Sequence, residues 1–280
     1  MMRHSINKFV ILSILFLTPC LMLAQEGRFG QFVIDRPPSD LDRAGLKGKV
    51  RKVISYEGMA TRTKRGVVFS EDPLKVITEY NRAGNIVRQT TLRYGRIIER
   101  SDYTYSGGLK QTMKTTQGNG VVSATVRYFH DANTKLNNQQ NSYNYQGKLT
   151  QISKFVYNRN KDQVRRVDYT GGGAKDESFI SKYNMDNILS EEYSYRYIGG
   201  DSILQYEIHY NYNSRGNVIM QAHRVYDSDT RQYDKKILHF RYYQYDREGN
   251  WAICCRYHNA LTDENRLVPN TIIVREIIYY

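Results

Sequence analysis

Tyrosine recurs at alternate positions in this chain, and the alternating runs end in one kind of turn. The pairs are Tyr103/Tyr105, Tyr143/Tyr145, Tyr193/Tyr195/Tyr197, Tyr210/Tyr212 and Tyr243/Tyr245. A period of two places each set on one face of a β-strand. With 25 tyrosines against 9 phenylalanines and 1 tryptophan, these ladders are the main source of aromatic packing. No stretch carries a convincing helical period. The segment from Leu41 to Leu46, behind Ser39 and Asp40, is expected to make one or two helical turns.

The turn is sharpest at Tyr243-Gln-Tyr245-Asp246-Arg-Glu-Gly249-Asn250-Trp251 and at Tyr210-Asn-Tyr212-Asn213-Ser-Arg-Gly216-Asn217-Val218. A third copy, Tyr80-Asn81-Arg-Ala-Gly84-Asn85-Ile86, lacks only the earlier tyrosine. Weaker copies follow Tyr105, Tyr145 and Tyr183, the last with Asn187 in place of glycine, and a degenerate one lies near Tyr128 to Asn133. An Asp or Asn in first place can accept a hydrogen bond from the amide two residues on. The next two residues form a type I turn, and glycine in a left-handed conformation closes the hairpin with a bulge. Copies recur at roughly 25–40 residues, the spacing of a repeated supersecondary unit.

At these residues the chain resembles the YD-repeat, or RHS-like, family of exported bacterial proteins, whose unit is Tyr-x-Tyr-Asp-x-x-Gly-x-apolar. Residues 243–251 match every position, and 210–218 match with Asn213 in place of Asp. The resemblance spans roughly residues 75–280 and implies export, an all-β spiral sheet, and roles in surface display, carbohydrate contact or toxin delivery. The small number of units and an end within a strand, Val274 to Tyr280, point to a short stand-alone relative without a C-terminal toxin. The expected fold is therefore all-β, an antiparallel meander of hairpins forming a long curled or spiral sheet, with an up-and-down barrel as the alternative.

Residues 1–24 read as a signal peptide. Arg3 and Lys8 precede an apolar run from Phe9 to Leu17, and a cleavage site follows at Ala24. Leu17-Thr18-Pro19-Cys20 offers lipidation of Cys20 as a variant reading, with Pro19 a poor fit. Residues 25–45 then form a lead-in and 46–280 a single β-repeat domain, secreted or periplasmic, or displayed on the cell surface. No second run is long and apolar enough to form a helical membrane span. Losing Arg3 and Lys8 reduces the 41 basic residues to 39 against 28 acidic ones. These charges are scattered, which favours solubility and anionic surfaces in general without choosing among them. Cys254 and Cys255 are adjacent in a predicted strand, so they should face opposite ways as free thiols.

Motifs for phosphate, dinucleotide or zinc binding and for a serine nucleophile are missing, and no cofactor is expected. Pairing Tyr212 near Asn217 or Val218 puts His209 opposite Met220 or Gln221, so His209 and His223 are not expected to share a metal. Glu191 and Glu192 should face opposite ways, and Asp227 and Asp229 read as turn formers. Candidate binding residues are the tyrosine ladders, Tyr193, Tyr195, Tyr197, Tyr210, Tyr212, Tyr243 and Tyr245, with Trp251. Their rings suit sugar faces, but sheet stabilisation is the preferred reading of each tyrosine and a packing anchor that of Trp251. Asn81, Gly84, Asn85, Asn213, Gly216, Asn217, Asp246, Gly249 and Asn250 are the repeat-turn residues. The leading expectation is a non-enzymatic binding or scaffold protein of the cell envelope, contacting polysaccharide or a partner protein. A secreted glycan-active enzyme is the alternative, and nucleic acid is disfavoured by export. No motif reports on the oligomeric state.

Overall fold

A computed structural model of the chain describes residues 39–280 apart from 65, 186–187 and 261–262. The signal peptide, Cys20, the start of the lead-in and Asn187 lie outside the described residues. Among the described residues one short helix, α1 (Asp40–Arg43), is followed by seventeen strands. Those that matter below are β1 (Val50–Thr63), β2 (Gly66–Phe69), β3 (Leu74–Tyr80), β4 (Ile86–Arg93), β5 (Arg96–Ser106), β6 (Leu109–Gln117), β7 (Val122–His130), β8 (Asn137–Asn144), β9 (Leu149–Tyr157) and β10 (Gln163–Thr170). They continue as β11 (Lys175–Tyr183), β12 (Leu189–Ile198), β13 (Asp201–Tyr212), β14 (Val218–Asp227), β15 (Gln232–Tyr245), β16 (Trp251–Ala260) and β17 (Asp263–Tyr279).

From β3 onward each strand pairs antiparallel with the next, and β1 pairs with both β3 and β17. That last pairing, from Val50↔Tyr279 to Met59↔Thr271, closes the sheet. The molecule is an all-β antiparallel barrel of sixteen strands, the seventeen less β2, which pairs with the far end of β1. The expected open spiral is thereby corrected to the barrel alternative. Closure satisfies the backbone groups that a spiral would leave at both edges. A ring of this many strands is too wide for side chains to fill, so it encloses space.

The turns behave as their spelling requires. Asn81 Oδ1 accepts from the amides of Ala83 and Asn85, both at 3.0 Å, and Asn213 Oδ1 does the same with Arg215 and Asn217 at 2.9 and 3.0 Å. Asp246 Oδ1 accepts from Asn250 N at 2.8 Å. Gly84, Gly216 and Gly249 take φ values of 82°, 78° and 83°, the region a β-carbon disfavours. Because strands alternate in direction, these three turns lie at one mouth of the barrel, together with those at 131–136 and 158–162. The copy at Tyr145 belongs to the opposite mouth.

The repeated tyrosines have a second task. Tyr105, Tyr157, Tyr212 and Tyr242 donate their hydroxyls to the carbonyls of Ile86, Asn137, Leu189 and Val218, at 2.8, 2.9, 2.6 and 2.8 Å. Each acceptor is the first residue of a return strand, and each donor sits on the strand that follows it. Successive hairpins are thus tied together around that mouth, and Tyr280 completes the tie by donating to Tyr80 O at 2.5 Å.

Apolar residues gather in three places. Leu189, Ile208, Tyr210, Val218, Leu238, Phe240, Trp251, Cys254 and Ile273 form a cluster on the inner wall. Val53, Tyr80 and Val50 hold Leu41 and Leu46 at the mouth. Outside, Ala60, Val67 and Phe69 of the β1–β2 flap cover Cys255, Tyr257 and Ile272. Cys254 and Cys255 are accordingly free, buried and on opposite faces.

Candidate functional site

Within the barrel lies a cavity of about 2480 Å³, and at one mouth it is lined by residues 39–43 and 46–50, which serve as its floor. The lead-in reaches this place through side chains that cap backbone groups. Ser39 and Asp42 cap α1 reciprocally, and Leu41 N donates to Gly84 O at 2.9 Å. Asp40 accepts from Ile86 N at 2.9 Å and shares the single Tyr105 hydroxyl proton with Ile86 O, at 2.8 Å, and its other oxygen meets Lys110 Nζ at 3.2 Å. Burial pushes the Asp40 carboxyl up, but Lys110, the Ile86 amide and the other donors outweigh it and leave the group below the ordinary carboxylate value. Burial lowers the Lys110 ammonium. Asn250 Oδ1 accepts from Lys47 N at 2.8 Å while its Nδ2 donates to Lys47 O at 3.0 Å. Burial, and then the charge of Arg43, lower the His130 imidazole on β7, while burial raises the Tyr157 hydroxyl on β9 against the charge of Arg43.

The walls are polar on one side. Register sets Asp168 opposite Glu177 and Glu177 opposite Arg196, and one row below sets Arg166 opposite Phe179 and Phe179 opposite Ser194. Glu177 pairs with Arg196 at 3.3 Å. Arg166 Nε lies 3.2 Å from Asp168 Oδ1 as an ion contact, at an angle that leaves both atoms without a hydrogen bond. The Arg166 guanidinium covers the Phe179 ring, 3.9 Å from its centroid. Lower still, Glu192 accepts from the Tyr210 hydroxyl, and burial raises its carboxyl above the ordinary 4.5 despite that bond and the nearby Arg166. His223 also lines the cavity. Burial, with the charges of Lys236 and Arg256, pushes its imidazole down to about 4, so it is neutral at pH 7.

The tyrosine ladders divide between the two faces. Tyr193, Tyr195 and Tyr197 stand on the outer wall, whereas Tyr210 and Tyr212 pack in the inner cluster. The register Tyr193↔Glu207 requires this, because the tyrosines of β13 fall at the alternate positions. Tyr243 is exposed and hydrogen-bonded to Tyr257 at 2.5 Å, and Tyr245 lies under Arg215 at 4.2 Å. Trp251 is buried beneath Arg275, whose guanidinium is 3.2 Å from the ring centroid. His209 pairs with Ala222, not Met220 or Gln221, because a bulge at Asn211/Tyr212 shifts the register. His209 therefore points outward and His223 inward. Glu191 meets Lys182 outside at 2.8 Å while Glu192 faces in, and Asp227 caps its turn by accepting from Asp229 N. The described residues contain no cluster of His, Cys, Asp and Glu fit for a metal. The lining residues Arg166, Asp168, Glu177, Phe179 and Arg196 carry no sequence signal of their own. They emerge only once the concave face is known.

The outer wall carries charge from the mouth, where Lys52 and Glu79 stand, to the middle of the strands. Lys52 pairs with Glu79 at 3.2 Å, Asp102 with Arg88 and Arg100 at 2.7 and 2.9 Å, and Glu207 with His209 and Arg224 at 2.7 and 3.5 Å. Lys114, Arg127 and Lys154 stand exposed near the middle of their strands.

No family model matches the chain, and no curated protein matches it in sequence. Its likeness is to solved structures. A porin-like protein from Bacteroides uniformis superposes with a TM-score of 0.53 at 10% identity, over 83% of this chain and 99% of that one. A porin-like protein from Bacteroides vulgatus gives a TM-score of 0.42 at 13% identity, over 82% of this chain and 98% of that one. The first of these likenesses shows a shared fold. No helix among the described residues is long and apolar enough to cross a membrane, which says nothing of a membrane β-barrel.

Proposed function

We propose that this chain is an exported, non-enzymatic barrel of the cell envelope whose lumen is a binding chamber for a hydroxyl-rich ligand, an oligosaccharide being the chemical class that fits. The observation that carries this reading is the chamber itself. It joins carboxylate and guanidinium groups on one polar wall to the aromatic side chains of Phe155, Tyr128 and Tyr157, with residues of the 39–50 segment lining its lower end. Sugars need that mixture, an apolar face to lie on and charged acceptors and donors for their hydroxyls.

A barrel fold and the likeness to a porin-like protein support an envelope location. The outer wall argues against lipid contact. A transmembrane barrel presents an apolar band, and an Arg or Lys at the bilayer midplane costs about 2–4 kcal/mol. Lys114, Arg127 and Lys154 stand on three successive rows, so whichever lies nearest the midplane would cost about 2–4 kcal/mol and the others less, with no apolar band to offset it. The reading is accordingly of a barrel that stands in water. A short relative of the YD-repeat proteins, with its units closed into a ring, remains the family reading.

Calorimetric titration of the mature chain with a broad panel of neutral oligosaccharides tests the chamber. At least one class should bind, and Phe179→Ala with Arg196→Ala should weaken it about tenfold or more. Silence across the panel, or binding indifferent to those changes, would sink the proposal. A glycan-active enzyme is the second reading, favoured by Asp168 directly opposite Glu177. Cross-strand neighbours on one face can reach the same bound sugar, the arrangement that a two-carboxylate glycosidase needs. Both are already engaged by arginines, which is why binding is preferred. Release of reducing ends that Asp168→Asn abolishes in a folded protein would reverse the preference.

A further inference from the structure

On the outer wall, the five strands β6 to β10 present no carboxylate, because their one acidic residue, Asp168, faces the lumen. The same wall presents Lys114, Arg127, Lys154 and Arg165, all exposed. None of the four has an ion-pair partner among the described residues. Asp102, directly opposite Lys114, is already taken by Arg88 and Arg100.

Register places these cations on a diagonal. Lys114 shares a row with Thr125, and Arg127 stands one row below it. Arg127 shares its row with Asn141, and Lys154, opposite Gln139, stands one row lower again. Arg165, opposite Val156, occupies the next row. With strands about 4.8 Å apart and about 3.3 Å of rise per residue, neighbours along this line are roughly 8–12 Å apart. Tyrosines flank it. Arg127 lies over Tyr143 at 5.1 Å, Lys154 over Tyr169 at 5.3 Å, and Arg165 Nη2 donates to the Tyr197 hydroxyl at 2.9 Å.

We infer that this diagonal is a docking surface for an extended, carboxylate-bearing polysaccharide, separate from the lumen. Charge complementarity favours a polyanion, since this line of cations has no ion-pair partners among the described residues, on a barrel already rich in base. The tyrosines choose among polyanions. Single-stranded nucleic acid binds by stacking bases on open ring faces, and here cations occupy faces of Tyr143 and Tyr169. What remains available beside the cations is ring edge and hydroxyl, which suit sugar hydroxyls between charged groups. A flat lipid surface would meet a convex wall along a narrow line and leave the ends of the diagonal unengaged.

The test is binding of the mature chain to polygalacturonate at low salt, read by co-sedimentation and by calorimetry. Wild type should bind, lose affinity steeply as salt rises, and ignore the neutral polymer pullulan. Lys114→Glu/Arg127→Glu/Lys154→Glu should weaken binding about tenfold or more, while Lys235→Glu/Arg241→Glu, elsewhere on the outer wall, should change it little. Should the charge reversal disturb folding by circular dichroism, Lys154→Gln/Arg165→Gln provides the milder variant, with a smaller loss in the same direction. No retention on polygalacturonate overturns the inference. So does equal loss in the diagonal and control variants, or tighter binding to single-stranded DNA or to anionic vesicles. The Phe179→Ala/Arg196→Ala lumen variant should leave this binding intact, which separates its failure from that of the chamber.

Discussion

Replacing Asn250 with alanine should free the Lys47 end of the chamber's floor from the barrel. The side chain is 3% exposed and makes three hydrogen bonds, from Lys47 N at 2.8 Å, to Lys47 O at 3.0 Å and to the Tyr279 hydroxyl at 2.8 Å. A net contribution of about 1 kcal/mol each gives about 3 kcal/mol. Water entering at the mouth would lower that figure, and the stranded Lys47 amide and carbonyl would raise it, so the working range is about 2–4 kcal/mol. Asn217 is the internal control. It holds the equivalent place in the preceding turn, and its amide reaches the Tyr245 hydroxyl at 3.3 Å. Its replacement by alanine should cost about 1 kcal/mol or less. Urea unfolding measures both, with limited proteolysis reporting whether residues 39–49 become cleavable before the barrel does. An Asn250→Ala cost no greater than that of Asn217→Ala, with the segment still protected, would refute the clamp.

Tyr212→Phe removes the tie to Leu189 O and should cost about 1 kcal/mol, whereas Tyr195→Phe on the outer wall should stay within about 0.5 kcal/mol in the same urea assay. Trp251→Ala should cost about 3–5 kcal/mol, since it opens the inner cluster and strands Arg275. His223 gives a pH signature. Its folded value, about 4, lies below the ordinary 6.5, so the folded state binds protons less readily and stability falls as pH drops from 6.5 towards 4. His223→Gln should flatten that part of a stability profile, and an unchanged slope would contradict the burial argument.

The features legible in the sequence are those with local causes. Asn81, Asn213 and Asp246 announce their turns because an Asx side chain followed by a left-handed glycine has few other uses. The alternation of Glu191 and Glu192, and of Cys254 and Cys255, follows from the pleat alone. Closure was not legible, since nothing local in Val50 to Met59 identifies Thr271 to Tyr279 as its partner. The turn after Tyr157 went unread because Lys161, at φ 60°, stands where glycine would be expected. The candidate site was hidden for a related reason. Period two sorts residues onto two faces but does not say which face is concave, so Tyr193 and Tyr210 looked alike while Arg166, Asp168 and Glu177 looked like ordinary surface charge.

The most direct test of the central claim, a water-standing barrel with a floored chamber, is the behaviour of the mature chain without detergent and against a planar bilayer. A barrel that stands in water should be a soluble, folded, β-rich species that leaves bilayer conductance unchanged. Material that stays soluble only in detergent and opens channels of stable conductance would contradict it.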